Sequence, residues 1–213
     1  LTKYLIYTQK HMKTLKRIGL GAILAATLGS CSQTPTDNNA VCENSVVETI
    51  MSRRSVRHYQ ARPVSRDTMQ LIAPNAMNRQ EWELRIVDNP EFLDGVTALF
   101  VKENPDATKD PTFRNMFRNA PTVVFIAAPE GAYAGVNCGL LGENMILAAW
   151  SMGIGSCCLG GPVAFMKSEI AADYLSQLNF SEGYTLLYAI GFGYPAEAPD
   201  ARPRDESKIS FVD

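Results

Sequence analysis

Two arginine-rich clusters lie far apart in the sequence and are suited to bind one phosphate group together. The segment Arg53-Arg54-Ser55-Val56-Arg57 places three guanidinium groups and a hydroxyl within five residues, and Arg202-Pro203-Arg204 adds a second compact pair. Guanidinium forks bind phosphate oxygens bidentately, and a serine hydroxyl adds another donor. The clusters therefore predict a phosphomonoester site, with a solvated basic face as the alternative.

A segment rich in amide side chains follows the first arginine cluster. Amide groups both donate and accept hydrogen bonds, which suits them to the edge of a flavin or purine ring. The candidate residues here are Pro74, Asn75, Ala76, Asn78 and Gln80.

Several other classes of site lack the residues they need. His11 and His58 are the two histidines, and no Cys-x-x-Cys or His-rich spacing suggests a metal. A Gly-x-Ser-x-Gly hydrolase elbow is also absent. Cys42, Cys138 and the adjacent pair Cys157-Cys158 show no disulfide framework. We expect neither a metal nor a catalytic nucleophile, and His58 beside the arginines favours packing or hydrogen bonding over proton donation.

Apolar periodicity and turn residues predict the elements that position these candidates. Helices are predicted over residues 45–51, 67–73, 91–101, 135–152 and 162–178, and strands over 82–87, 122–128 and 184–191. Residues 153–161 hold four glycines and are predicted as a loop or tight turn. Helix 135–152 is apolar nearly all round, which predicts burial on every side, in a core or at a subunit interface. Helices and strands mix without a βαβ repeat, so the fold class is α+β.

Taken in order, these features resemble the FMN-dependent nitroreductase family. The arginine motif precedes a stretch similar to the family's Ala-Pro-Ser-x-x-Asn-x-Gln-Pro-Trp. Three later motifs continue the resemblance: Asn119-Ala120-Pro121 before a buried strand, Cys138-Gly139-Leu140 in the long helix, and Gly191-Phe192-Gly193-Tyr194-Pro195. Together with the glycine-rich 153–161 they extend the resemblance over residues 45–210. It implies a central mixed or antiparallel sheet flanked by helices, with the long buried helix at a homodimer interface.

The resemblance also implies an FMN site. Arg53 and Ser55 stand where the family binds the FMN phosphate, and Arg204, with Arg202 beside it, completes that contact. Arg54, between the first two, is a further candidate for cofactor binding. Arg57 stands near the pyrimidine side of the ring, where a cation stabilises the charge added on reduction. The amide-rich segment 74–80 corresponds to the part that reaches the partner's FMN. The backbone that approaches the flavin would come from Ser156, Cys157, Leu159, Gly160 and Gly161.

For the reaction, the family implies a ping-pong hydride transfer through flavin N5. NADH or NADPH would be the donor, and a nitroaromatic, quinone or related small molecule the acceptor. Dehalogenation, flavin cleavage and azoline oxidation on the same fold are alternatives. A different alternative is a surface lipoprotein that binds a ligand or flavin without turnover, because the helix before Pro74 is roughly two turns shorter than the family pattern.

The first thirty residues predict a secretory signal, with Met12 as the expected start. Lys and Arg at 13–17 precede an apolar run over 18–28, which is shorter than the roughly 20 residues of a membrane-spanning helix. Leu28-Gly29-Ser30-Cys31 resembles the lipobox of bacterial lipoproteins, so Cys31 is the expected lipidation site. An ordinary secretory signal is the alternative. Residues 31–44 would then be a tether, and the domain of residues 45–213 would lie in the cell envelope, on the periplasmic or surface face.

Charge argues against nucleic acid as the partner. The chain of 213 residues has 20 basic and 22 acidic residues, with five of the basic ones before residue 31. The remainder has 15 basic against 22 acidic residues, a net charge of −7. Binding to a phosphate backbone relies on a surplus of Lys and Arg. The remaining composition is ordinary for one globular domain.

Overall fold

An apolar run forms the central strand of the sheet. The computed structural model describes residues 45–72, 81–131, 133–203 and 205–212. Strand β2 (Thr122–Pro129) pairs on one side with β1 (Glu83–Val87) and on the other with β4 (Tyr184–Gly193), which also pairs with β3 (Gly155–Cys158). All three pairings are antiparallel, in the order β1-β2-β4-β3. The register of β2 against β4 shifts between Ile126 and Ala127.

The six helices flank this sheet. They are α1 (Ser45–Ser52), α2 (Arg66–Leu71), α3 (Pro90–Glu103), α4 (Ala134–Ser151), α5 (Gly160–Met166) and α6 (Ala172–Gln177), counted over the described ranges. Short 3₁₀ turns occupy Pro105–Lys109, Glu169–Ala171 and Glu206–Lys208. Capping fixes two helix starts, since Ser65 Oγ accepts from Thr68 N at 3.2 Å and Asn89 Oδ1 accepts from Glu91 N at 2.9 Å.

Alternate residues of β2 build two cores, one on each face of the sheet. On one face, Val124 and Ile126 pack with the buried side of α4. On the other, Val123 and Phe125 pack with α3, α5 and the segment around Phe117. A strand covered on both faces has a continuous apolar sequence, as β2 does. The predicted α+β class, with a sheet flanked by helices, is confirmed, and the sheet is antiparallel.

The prediction of a loop over residues 153–161 was wrong in its centre. Residues Gly155–Cys158 form β3, in which Gly155 pairs with Gly193 and Cys158 with Ile190. Pairing with a distant strand supplied the backbone hydrogen bonds, which local glycine content does not reveal. Helix α5 then begins at Gly160, inside the predicted loop.

The single helix predicted over 162–178 was also wrong. Helix α5 ends at Met166, and α6 begins only at Ala172. Ser168 explains the break, because its hydroxyl and its backbone N–H both donate to Phe165 O, at 2.6 and 2.9 Å. A serine that bonds to nearby backbone in this way competes with continued helix.

Helix α4 is buried on one face of this chain, rather than on every side. Its buried residues include Cys138, Leu141 and Met145, whereas Val136 is 56% and Leu140 60% exposed. The apolar residues of its sequence therefore exceed what the sheet of one chain covers. Within the described residues, no helix combines the length and apolarity needed to cross a membrane.

Candidate functional site

The first arginine cluster is fixed against the edge of the sheet. Val56 N donates to Ser156 O at 2.9 Å, and Gln60 N donates to Tyr194 O at 2.8 Å. Val56 is fully buried and lies against Gly155, where an added Cβ would come within 2.8 Å of its side chain. The close approach of these two backbones thus positions the arginines that flank Val56.

Residues from both ends of the domain line one cleft, which we call the arginine cleft. It has a volume of about 500 Å³. Its lining residues are Met51, Arg53, Arg54, Ser55, Arg57, Pro199, Asp200, Ala201 and Arg202. The structure therefore brings the Arg53–Arg57 cluster together with Arg202, as an anion site requires.

Most guanidinium donors in the arginine cleft remain available to a ligand. Arg54 Nη1 donates to the carbonyl oxygens of Met51 and Arg53, both at 2.8 Å, and so caps the end of α1. Arg57 Nη1 donates to Ser55 O at 3.1 Å. Among the described residues, the one ion pair of the cleft's four arginines joins Arg53 Nε to Glu143 Oε1, at 3.7 Å. An anion would therefore find donors that no carboxylate already holds at hydrogen-bond distance.

Glu197 fixes the backbone of Arg57. Its Oε1 accepts hydrogen bonds from the backbone N–H groups of Arg57 and His58, the latter at 3.2 Å. Its Oε2 lies 3.6 Å from His58 Nδ1. This carboxylate holds the turn from which the Arg57 side chain extends. His58 itself lines neither cleft described here, in keeping with a hydrogen-bonding role.

Arg57 also lines a second opening, which we call the glycine cleft. Its volume is about 480 Å³. Two segments supply most of its lining. We call Cys157, Cys158, Leu159, Gly160, Gly161 and Pro162 the floor, and Phe100, Ala107, Asp110, Thr112, Phe113, Arg114, Asn115, Met116 and Arg118 the wall. A Cβ added at Gly160 or Gly161 would meet no atom within 4 Å, so the backbone there faces open space. A planar ligand could lie directly against it.

Two titratable groups, Cys157 in the glycine-cleft floor and Tyr188 beside Cys158, have raised pKa values. Burial raises the pKa of the Cys157 thiol, although the nearby Arg57 and Arg118 cations oppose that shift. Burial, together with the Cys158 thiol 2.9 Å from its hydroxyl, raises the pKa of Tyr188 well above its usual range. These groups therefore offer neither a thiolate nor a phenolate near neutral pH.

Sequence reasoning and structure differ at several site residues. Ser156 is 2% exposed and is absent from the lining of both clefts, and its backbone pairs with Ser55 and Val56. The predicted residues Pro74, Asn75, Ala76, Asn78, Gln80 and Arg204, and the lipidation residue Cys31, lie outside the described residues. Three further residues at these clefts, Glu197, Arg114 and Arg118, were not singled out from the sequence. The i, i+4 spacing of the two arginines before Asn119-Ala120-Pro121 was the available signal. No group of metal-binding side chains occurs in the described ranges.

Comparison with known proteins supports the resemblance noted in the sequence. The profile of the nitroreductase family matches residues 50–194. A Bacteroides fragilis nitroreductase with bound FMN is 26% identical, with a TM-score of 0.69 over 80% of this chain and 100% of its own. A nitroreductase with bound FMN from Desulfitobacterium hafniense is 25% identical, with a TM-score of 0.68 over 80% of this chain and 99% of its own. An NADPH-flavin oxidoreductase of Vibrio harveyi is 25% identical over 76% of this chain and 70% of its own.

Proposed function

This chain belongs to the nitroreductase family, and from that premise we propose that it is an NAD(P)H-dependent FMN oxidoreductase acting on a small organic acceptor. Nitroaromatics and quinones are the acceptor classes we propose. The observation that carries the proposal is Arg57, which lines both the arginine cleft and the glycine cleft. The arginine cleft and the glycine cleft are therefore adjacent.

The arginine cleft fits the phosphate of FMN. Arg53, Arg54, Ser55, Arg57 and Arg202 surround a volume of about 500 Å³, with Asp200 as the carboxylate in the lining. Four guanidinium groups against one carboxylate give the positive charge that a phosphomonoester dianion requires. These residues would hold the phosphate, with Arg204 beside Arg202 in the sequence as a further proposed contact.

The glycine cleft fits the flat ring of the cofactor. The open space in front of Gly160 and Gly161 lets a ring approach the backbone, and Cys157 and Leu159 form the floor beside them. Bound FMN supplies two-electron chemistry, accepting a hydride from NAD(P)H and passing the electrons to the acceptor. Arg57 places a cation at the junction of the clefts, where it can stabilise the negative charge that the ring gains on reduction.

The chain's own residues bind and orient the reactants. Cys157 and Tyr188 keep their protons at neutral pH, so neither acts as a nucleophile or general base there. The floor and the arginine-bearing wall of the glycine cleft bound the space in which donor and acceptor would take turns. One cleft thus serves both half-reactions.

A spectrum of the purified protein tests the proposal. We expect a yellow protein with flavin absorbance that bleaches anaerobically on addition of NADH or NADPH and returns on addition of a quinone or nitroaromatic. Bound flavin that neither nicotinamide bleaches would favour a binding protein without turnover. Bleaching without reoxidation by these acceptors would favour another reaction of the fold, such as dehalogenation or azoline oxidation. Absence of flavin binding would contradict the proposal.

We further propose that the protein is a homodimer. Apolar side chains remain uncovered on two helices that pack together through a hydrogen bond from Trp150 Nε1 to Ser52 Oγ, at 2.9 Å. On α1, Ile50 and Met51 are 42% and 51% exposed, and on α4 Leu140 is 60% exposed. Burying such surface against a second copy contributes about 25 cal/mol per Å². The exposed apolar face of α4 therefore supports a homodimer in which this helix lies at the interface.

The site of action we propose is the cell envelope. The cationic and apolar segments before Leu28-Gly29-Ser30-Cys31 support export followed by lipidation at Cys31. Residues 31–44 would tether the catalytic domain to the membrane. The electron acceptor would then be met at the periplasmic or surface face.

A further inference from the structure

A left-handed corner of the backbone sets the position of Arg118. Arg118 and Asn119 have φ values of 58° and 55°, in the left-handed region that side chains other than those of glycine and asparagine rarely adopt. The Asn115 side chain holds the corner, because its Oδ1 accepts from Phe117 N at 2.9 Å and from Asn119 N at 2.6 Å. Arg118 N also donates to Asn115 O at 3.2 Å. The corner is therefore built by specific contacts and places Arg118 on the wall of the glycine cleft.

The guanidinium of Arg118 has no hydrogen-bond or ion-pair partner in the described part of the chain. Asp110 is the carboxylate in the same lining, and its Oδ1 accepts from the backbone N and the hydroxyl of Thr112, at 2.8 and 2.7 Å. These bonds and, more weakly, the charge of Arg118 lower the pKa of Asp110, but the two side chains form no ion pair. Arg118 is exposed and, with Arg57 and Arg114, gives this cleft three cations against one carboxylate. The function proposed above uses Arg57 alone of these three. Arg114 Nη1 donates to Pro111 O at 3.1 Å, and neither Arg114 nor Arg118 has a role in that function.

Building on that proposed function, we propose that Arg118, assisted by Arg114, binds an anionic group on the substrate that occupies the glycine cleft. A guanidinium binds phosphate and carboxylate by the same paired hydrogen bonds. Two substrates could carry such a group: NADPH, through its 2′-phosphate, or a carboxylate-bearing acceptor. Arg118 is thus the residue that sets substrate preference by charge.

Matched substrate pairs test this assignment. The FMN-loaded protein is assayed with NADPH against NADH, which differ by the 2′-phosphate, and with 4-nitrobenzoate against nitrobenzene, which differ by the carboxylate. Arg118→Asn removes the cation while tolerating the left-handed backbone, and Arg118→Lys keeps the charge without the fork. Lys167→Ala, an exposed cation outside the cleft lining, is the control. Calorimetric binding of NADP⁺ against NAD⁺ gives a readout independent of turnover.

For each substrate pair we divide kcat/KM for the anionic member by kcat/KM for the neutral member. We expect Arg118→Asn to lower this ratio by about tenfold in at least one pair, because one charge-assisted contact is lost. Arg118→Lys should fall between, and Lys167→Ala should match the wild type. A lower ratio for NADPH over NADH, with weaker NADP⁺ binding, identifies the 2′-phosphate as the group that Arg118 binds. A lower ratio for 4-nitrobenzoate over nitrobenzene identifies the carboxylate. If the wild type turns over but both ratios stay within twofold in folded Arg118→Asn, the inference is wrong. If the wild type oxidises neither nicotinamide, the proposed function fails as well.

Discussion

At the scale of single residues, the site depends on where each arginine's donors point. Arg54 uses Nη1 to cap the end of α1. Arg53 lies 3.7 Å from the Glu143 carboxylate, beyond hydrogen-bond distance. The backbone N–H of Arg57 donates to Glu197, and Arg57 lines both clefts. Adjacent residues of one motif therefore have different roles, and Arg53 is the arginine whose loss should affect phosphate binding most directly.

We predict that Arg53→Ala weakens FMN binding roughly ten- to a hundredfold. Removing one charge-assisted contact from a phosphate costs about 1.5–3 kcal/mol. The same change at Arg202 should have a similar effect, because it lines the same cleft. Fluorescence titration of the FMN-free protein measures the affinity. Arg66→Ala, which removes an exposed arginine paired with Asp88 outside the cleft, is the control. Unchanged affinity in both cleft variants would contradict the phosphate assignment.

At the scale of elements, the contact between β3 and the segment before His58 positions the arginines of the arginine cleft. Gly155 has no side chain, so Val56 can lie against it and Val56 N can reach Ser156 O. Arg53, Ser55 and Arg57 lie on either side of this contact in the sequence. The geometry of the arginine cleft consequently depends on a close packing that only glycine allows at position 155.

We predict that Gly155→Ala destabilises the protein by about 1–3 kcal/mol, the usual cost of overpacking a core contact. Its Cβ would lie 2.8 Å from Cβ and Cγ2 of Val56, so the arginine segment must move and FMN affinity should fall with stability. Thermal unfolding with and without FMN measures both effects. Gly131→Ala, whose Cβ would meet nothing within 4 Å, is the matched control. Wild-type stability and affinity in Gly155→Ala would show that the contact does not position the arginines.

At the scale of the whole molecule, the exposed apolar surface predicts how the protein assembles, and the proposed export signal predicts where it acts. Leu140 on α4 and Met51 on α1 lie on the surface of the chain, and Met51 also lines the arginine cleft. A second copy covering these helices would therefore lie next to the cofactor site. Dimerisation and FMN binding should then be linked by mass action.

We predict that dilution of the purified protein releases FMN and lowers its melting temperature together, because FMN would bind the dimer more tightly than the monomer. Analytical ultracentrifugation and flavin fluorescence over the same concentration series measure the two events. Leu140→Glu should shift both transitions to higher protein concentration. Ala98→Glu, at an exposed and uncharged position of α3, controls for the added charge. A monomer that retains FMN at full occupancy would refute the shared site.

We predict that Cys31→Ser abolishes lipidation and releases the protein from the membrane fraction. The modified cysteine is the anchor that the sequence pattern supplies, since the apolar run before it is too short to span a bilayer. Metabolic labelling with a radioactive fatty acid and fractionation test this, with Cys42→Ser as the control. Lipid on the Cys31→Ser variant would show that the lipobox assignment is wrong.

Candidate binding residues and several helices and strands could be predicted from the sequence, because they depend on residue type and short spacing. The continuous apolar run forms β2, and the helix predicted over residues 91–101 is α3. The fold class followed from the same short-range signals, together with the resemblance of ordered motifs. These features need only neighbouring residues to be recognised.

The tertiary structure decided what depends on distant partners. Residues Gly155–Cys158 form a strand because β4 pairs with them on one side, and Ser156 O accepts from Val56 N on the other. Helix α4 left Leu140 exposed because one sheet covers one face. Arg118 entered the glycine cleft through a left-handed corner held by Asn115, which no periodicity in the sequence records. Each outcome was fixed by pairing, packing or backbone conformation between residues that the sequence places apart.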